Sequence, residues 1–272
     1  MLSPSYSISP KDLWDTIATR DAFHLVDVRR RDAYEQSSHL LPGALWRDAA
    51  KAAHWAAEFG HPIIVACKAG HEMSQSTVAQ LRADGIDARI LEGGYEAWAK
   101  AGLPFVAKAE LERISPTHPG IWVTRRRPKI DRIACPWLIR RFLDSQARIL
   151  FVDPDQVVTV ARETGGVPFD IKDVELSHVG ERCSFDTMLR LFGLESEPSL
   201  ARLALIVRGA DTARPDIAAE AAGLHAISLG LSALADDDDH GLLERGFLLY
   251  DALFAWLRFA AEERHNWPAK AA

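Results

Sequence analysis

The chain has 272 residues, 48% of them apolar and 26% charged, with a net charge of −6 and a sequence pI near 5.9. That length fits two domains, and the acidic balance argues against general nucleic-acid binding. No stretch is long and apolar enough to span a bilayer, and the first residues lack a basic region followed by an apolar run. A cytoplasmic protein with no membrane partner is therefore expected. Three cysteines, Cys67, Cys135 and Cys183, cannot all pair within one chain and lie far apart in sequence, which fits free thiols in a reducing compartment.

In chain order, Ser9-Pro10-Lys11-Asp12-Leu13 reads as a capped helix start with proline at the first position. Strands are expected at His24–Val28, Ile63–Ala66 and Ala88–Leu91. They alternate with helices near Asp32–Gln36, Lys51–Glu58, Gln75–Ala83 and Tyr95–Ala101. Alternation of this kind implies a parallel sheet covered on both faces, with functional loops at the carboxyl ends of its strands. Ile63-Ile64-Val65-Ala66 is followed there by Cys67 and by the loop Lys68, Ala69, Gly70, His71, Glu72 and Met73. Ser74 then stands where a hydroxyl would open the next helix. A thiol between a strand end and a helix N-terminus favours its thiolate, and the loop amides can hold an oxyanion beside it. The plain alternative is a buried structural cysteine.

The first unit closes at Gly102-Leu103-Pro104, and residues 108–119 read as a polar, proline-bearing linker. The remainder, 120–272, reads as an α-rich α+β domain. It has strands at Trp122–Thr124 and Ile149–Val152, an amphipathic helix Cys135–Leu143 with Pro136 near its start, and helices at Leu200–Val207, Ile217–Leu234 and Leu242–His265. Asp251, Arg258, Glu262 and His265 share one face of the last helix. Glu262 and His265 have the i, i+3 spacing of helical carboxylate metal sites. His178 and Asp211, at element ends, are further candidate ligands, beside Asp131, Cys183 and Asp186. Oxygen and imidazole donors of this type suit iron, manganese or zinc. An ordinary solvated polar stripe would look the same on the last helix. The arginines Arg125, Arg126, Arg127 and Arg132 form a candidate oxyanion site beside a helix start, suited to a tetrahedral dianion such as chromate. A solvated basic face is the plain alternative. Cys135 and Cys183 read as two buried thiols.

Two resemblances attach to these residues. Asp27-Val28-Arg29, His39-Leu40-Leu41-Pro42-Gly43-Ala44, the Cys67 loop and Leu91-Glu92-Gly93-Gly94-Tyr95-Glu96-Ala97-Trp98 together resemble the rhodanese (sulfurtransferase) domain over residues 8 to 106. The resemblance implies Cys67 as the persulfide-carrying nucleophile and Asp27 and Arg29 as framework. It implies a small sulfur donor such as thiosulfate and a thiol or cyanide-like acceptor, with no cofactor needed for sulfur transfer. The loop departs from the usual pattern. Glu72 stands where an arginine is usual, the loop is one residue longer, and only Lys68 and His71 offer it positive charge. Residues 120 to 268 resemble the C-terminal domain of the chromate resistance protein B family. The phrases are Lys129-Ile130-Asp131-Arg132-Ile133-Ala134-Cys135-Pro136-Trp137, Cys183-Ser184-Phe185-Asp186, Ile206-Val207-Arg208-Gly209-Ala210-Asp211-Thr212 and Glu262-Glu263-Arg264-His265-Asn266-Trp267. That resemblance implies a role in chromate resistance. A sulfurtransferase fused to a chromate-resistance domain is the leading expectation. A non-catalytic chromate or metal sensor, or a metal-dependent redox protein, are the alternatives.

Overall fold

The computed structural model describes residues 6–18, 23–59, 62–117 and 119–263. The elements of the first part are β1 (Ser7–Ile8), α1 (Pro10–Thr16), β2 (His24–Asp27), α2 (Arg31–Glu35), β3 (His39–Leu40), β4 (Leu45–Trp46), α3 (Ala52–Trp55), β5 (Ile63–Ala66), α4 (Glu72–Ala83), β6 (Ala88–Leu91), α5 (Gly94–Lys100) and β7 (Val106–Ala107). Five strands form a parallel sheet in the order β1-β6-β5-β2-β4. Alternation along each strand divides its side chains between two faces. Leu25, Ile64, Ala66 and Leu91 meet Trp14 and Trp98, whereas Val26, Ile63, Val65 and Cys67 meet Trp55, Val78 and Leu81. Both faces are thereby covered by helices. The central strand β5 is apolar and buried at all four positions, the pattern of a doubly covered parallel sheet, and β2 is buried from Leu25 to Asp27.

Residues 108–114, expected as linker, are instead helix α6 (Lys108–Ile114). Two of its residues are buried: Lys108 Nζ donates to the carbonyls of Tyr34 and Glu35 at 2.8 and 3.0 Å, and Leu111 enters the core. The second part continues with β8 (Ile121–Arg125), α7 (Asp131–Leu138), β9 (Arg148–Val152), α8 (Val157–Thr164), β10 (Val167–Pro168), α9 (Ser184–Leu191), α10 (Pro198–Asp211), α11 (Ala221–Leu234) and α12 (Asp239–Ala255). Its three strands are parallel in the order β10-β8-β9. Helix α7 starts four residues before the expected Cys135, so Pro136 lies inside it rather than at its start. Wide π-type turns, Ile139–Leu143 and Trp256–Ala260, extend α7 and α12. The helix expected at Ile217–Leu234 begins only at Ala221, after the short turn Pro215–Ile217.

The two parts share one core. Trp14 of α1 stacks edge-on against Phe142 and Phe254, with ring centroids 6.1 and 6.4 Å apart. Arg258, its side chain only 5% exposed, donates to the Trp14 carbonyl at 2.9 Å and to Asp15 at 2.7 Å. Backbone bonds cross as well, from Gly43 N–H to the Phe142 carbonyl at 2.6 Å and from Ala107 N–H to the Phe192 carbonyl at 2.9 Å. No described helix is long and apolar enough to cross a membrane.

Candidate functional site

Cys67 follows β5 directly, 6% exposed, at the floor of a cavity of about 580 Å³ lined by Arg29, Arg30, Lys68, Ala69, His71, Glu72 and Met73. Its loop turns tightly at Gly70 (φ +70) and enters α4 at Glu72, two residues before Ser74. Ser74 is therefore not the helix cap that its hydroxyl suggested. It lies in the first turn, fully buried, with Oγ 3.2 Å from Cys67 Sγ and donating to the His71 carbonyl at 3.0 Å. The loop carbonyls point away from the cavity, because Tyr95 and Glu96 N–H groups at the start of α5 bond the Cys67 and Lys68 carbonyls, each at 3.0 Å. Gly94 makes this docking possible. A Cβ there would sit 2.2 Å from the Cys67 carbonyl oxygen and 2.7 Å from Gly70 N, and its φ is +56.

With the carbonyls held back, the N–H groups of Ala69, His71 and Ser74 face the sulfur. Burial alone pushes the Cys67 thiol up. The Ser74 hydroxyl and these amides outweigh burial, and the net shift is downward from 9.0. Asp27 and Arg29 form a buried ion pair. Arg29 Nε donates to both Asp27 oxygens, at 3.1 and 2.8 Å, and its guanidinium lies 4.1 Å from the Tyr95 ring centroid. Lys68 is exposed and within 3.7 Å of Glu96. The exposed Arg30 on the cavity wall adds a cation that sequence reasoning, confined to the loop, missed.

A second cluster lies in the other half. His178 Nε2 sits 3.4 Å from Asp131 Oδ2, 3.5 Å from Asp170 Oδ1 and 3.2 Å from Asp211 Oδ2. Asp131 opens α7, yet its carboxylate caps α9, accepting from Ser184 N–H at 2.7 Å and Phe185 N–H at 3.1 Å. Asp170, just after β10 and at φ +51, accepts from Ser184 Oγ at 2.8 Å and faces Arg125 at 3.1 Å and Arg132 at 3.4 Å. Asp186 accepts from Cys183 N–H at 3.0 Å and takes a two-pronged contact from Arg208 at 3.0 and 2.7 Å. The phrases around Asp131, Cys183 and Arg208 thus meet in space. Asp131, Asp170 and Asp211 hold the His178 imidazole charged, pushed up to about 12. Burial, with Asp170 and Asp211 adding to it, pushes Asp131 up to about 6.

Of the metal candidates, His178 and Asp211 come together here, with Asp131. Asp170 was missed, since only the fold brings the end of β10 to this point. Asp251 goes elsewhere: it accepts from Trp137 Nε1 at 2.7 Å and from Arg141 at 3.0 and 2.7 Å. Glu262 is exposed, and His265 lies outside the described residues. The shared stripe on the last helix therefore does not assemble as a ligand set among the described residues. The arginine cluster is likewise dispersed among carboxylates. Arg125 and Arg132 serve Asp170, and Arg126 reaches Asp153 at 3.3 Å and Asp237 at 3.1 Å. Arg127 bonds Asp239 through its backbone N–H at 2.8 Å. Cys135 and Cys183 are fully buried free thiols, both pushed up by burial.

A family model of the rhodanese-like domain matches residues 9–101 and one of the ChrB C-terminal domain matches residues 122–257, half of the chain. The chain is 35% identical over 160 residues to Protein ChrB of Cupriavidus metallidurans, covering 56% of this chain and 46% of that protein. It thus spans less than half the length of that relative. It is 35% identical over 98 residues to thiosulfate sulfurtransferase GlpE of Actinobacillus succinogenes, covering 36% of this chain and 86% of that one. A rhodanese-like domain protein of Staphylococcus aureus of known structure is 28% identical, covers 34% of this chain and 89% of its own, and superposes with a TM-score of 0.31. The chain belongs to the ChrB C-terminal domain family and carries a rhodanese-like domain ahead of that module.

Proposed function

We propose that the rhodanese-like domain is a sulfurtransferase working through a persulfide on Cys67, fused to a ChrB-type module that acts in the chromate stress response. The supporting observation is the convergence of the Ser74 hydroxyl and the Ala69, His71 and Ser74 amides on one sulfur at the floor of an open cavity. The thiolate attacks the outer sulfur of thiosulfate, an S–S bond forms, the S–S bond of the donor breaks, and sulfite leaves with the electron pair. A thiol or cyanide-like acceptor then attacks the outer sulfur and Cys67 departs as thiolate. The same amides stabilise the persulfide anion. Arg30 and Lys68 supply the positive charge that draws an anionic donor past Glu72, and His71 lines the same cavity. No cofactor enters this cycle. In this reading the ChrB-type module answers chromate, and three free thiols suit a cytoplasmic setting.

Glu72 on the cavity wall favours a second reading, in which the domain binds or senses without turnover. Intact mass before and after thiosulfate separates the two. Gain of one sulfur atom by the parent and none by Cys67→Ser supports transfer. No gain from thiosulfate or a persulfide donor leaves the sensing reading.

A further inference from the structure

The surroundings of His178 make a poor hydrogen-bonding arrangement and a good ligand shell. One Nε2–H carries one proton, yet three carboxylate oxygens stand 3.2, 3.4 and 3.5 Å away. Charge-assisted bonds to a single acceptor run to about 2.7–2.9 Å. Around a cation with donor distances of about 2.1 Å, neighbouring donors lie about 3.0 Å apart in an octahedron and about 3.4 Å apart in a tetrahedron. The observed spacings fall in or next to that range. One donor atom each from Asp131, Asp170 and His178 also lies within 4.8 Å of the others.

The donors come from separate elements and are held from behind. Asp131 is 1% exposed and Asp170 4%, and a buried carboxylate calls for a cation or a metal. Asp170 has two arginines on Oδ2, which leaves Oδ1 turned to His178 and Ser184. Asp131 has no arginine or lysine at ion-pair distance among the described residues. Its other partners are the amides of Ser184 and Phe185 and, at 3.7 Å, the thiol of Cys135. His178, 42% exposed, gives an ion a way in. Cavities open on both sides of it, one lined by Arg125, Asp170 and Ser177, the other by Asp211, Thr212 and Arg214.

We propose that Asp131, Asp170 and His178 bind one divalent cation of the manganese, iron or zinc class, with Asp211 at the edge of the group, 3.2 Å from His178 Nε2. Imidazole and carboxylate donors without thiolate select ions of that hardness. The ion replaces the proton on His178 and supplies the charge that Asp131 lacks. Coordination positions facing the two cavities stay open to water or a small anion. The site is separate from Cys67 and does not depend on sulfur transfer.

The test uses the full chain, stripped with a chelator, loaded separately with Mn²⁺, Zn²⁺ or, without oxygen, Fe²⁺, desalted and assayed for bound metal. One ion per chain is expected in the parent and in Cys67→Ser. Loss of a ligand-orienting neighbour typically weakens metal binding about 10–100-fold, so His178→Ala and Asp211→Asn should each weaken it by at least about tenfold. Both alter accessible side chains, and circular dichroism checks that the fold is kept. The ¹⁴N coupling in pulsed electron paramagnetic resonance of the Mn²⁺ form should vanish in His178→Ala. No ion retained by the parent, binding unchanged in both variants, or binding lost in Cys67→Ser would each overturn the site.

Discussion

Replacing Ser74 by alanine tests whether the hydroxyl sets the reactivity of Cys67. The Ser74 hydrogen has two acceptors in reach, the His71 carbonyl at 3.0 Å and the Cys67 sulfur at 3.2 Å. With a neutral thiol, the carbonyl takes it. With a thiolate, the hydrogen turns to sulfur. Ionisation therefore exchanges a neutral hydrogen bond, worth about 0.5–1.5 kcal/mol, for a charge-assisted one worth about 1.5–3 kcal/mol. The difference is about 1–1.5 kcal/mol, or about one pKa unit at 1.36 kcal/mol per unit. Ser74 is fully buried, so solvent cannot replace the bond. Ser74→Ala should raise the apparent pKa of Cys67 by about one unit. The assay is the rate of iodoacetamide alkylation against pH, read by mass at the Cys67 peptide. The remaining amides of Ala69, His71 and Ser74 keep the shift from being larger. An apparent pKa equal to the parent's, or below it, would refute the role given to the hydroxyl.

Three further outcomes are expected. Gly94→Ala puts a side chain at φ +56, 2.2 Å from the Cys67 carbonyl oxygen. The left-handed conformation alone costs about 1–2 kcal/mol, so the melting temperature should fall by several degrees and Cys67 should lose its selective alkylation; an unchanged melting curve would count against the docking of α5 on the loop. Asp251→Asn should leave metal content untouched while destabilising the chain by about 1–3 kcal/mol in urea unfolding, since the carboxylate charge is lost and an amide NH₂ replaces the Oδ2 acceptor of Arg141. Metal loss in that variant would restore Asp251 as a ligand. In chelated protein the raised value of His178 gives stability that is complete below its ordinary 6.5 and is lost as pH rises toward 12. Thermal stability should therefore decline between about pH 7 and pH 9, and His178→Gln should flatten that decline.

Much of the sheet was legible because Ile63–Ala66 is an apolar run and Ala88–Leu91 an apolar stretch broken only by Arg89, and those bounds match the structure. The entry to α4 was misread for a local reason. Ser74 looks like a cap, but the helix starts at Glu72 with no side-chain cap, and the hydroxyl serves the thiol instead. Pro136 misled in the same way, since proline marks a helix start only on average, and α7 holds it in its interior. The stripe on the last helix rested on a helix running to His265, but α12 ends at Ala255 and its π turn at Ala260, and His265 lies outside the described residues. A helical offset does not say what a face meets, and Asp251 and Arg258 meet Trp137, Arg141 and Asp15. The cluster around His178 draws on residues 131, 170, 178 and 211. No spacing rule connects them, and Asp170 could be found only once β10 was placed beside β8.

The aromatic seam of Trp14, Phe142 and Phe254, closed by Arg258, bears on how this protein can be dissected. A fragment cut within residues 108–119 would lay bare indole and phenyl rings that water does not reach in the intact chain. It would also leave a guanidinium without its carboxylate and a helix without its lysine anchor at Tyr34. Such halves should be sticky and poorly behaved, however faithfully each follows a family boundary. Enzymology on an excised rhodanese-like fragment would then report on a damaged surface rather than on Cys67. Folding of the thiol loop and folding of the ChrB-type module are in this sense a single inherited trait.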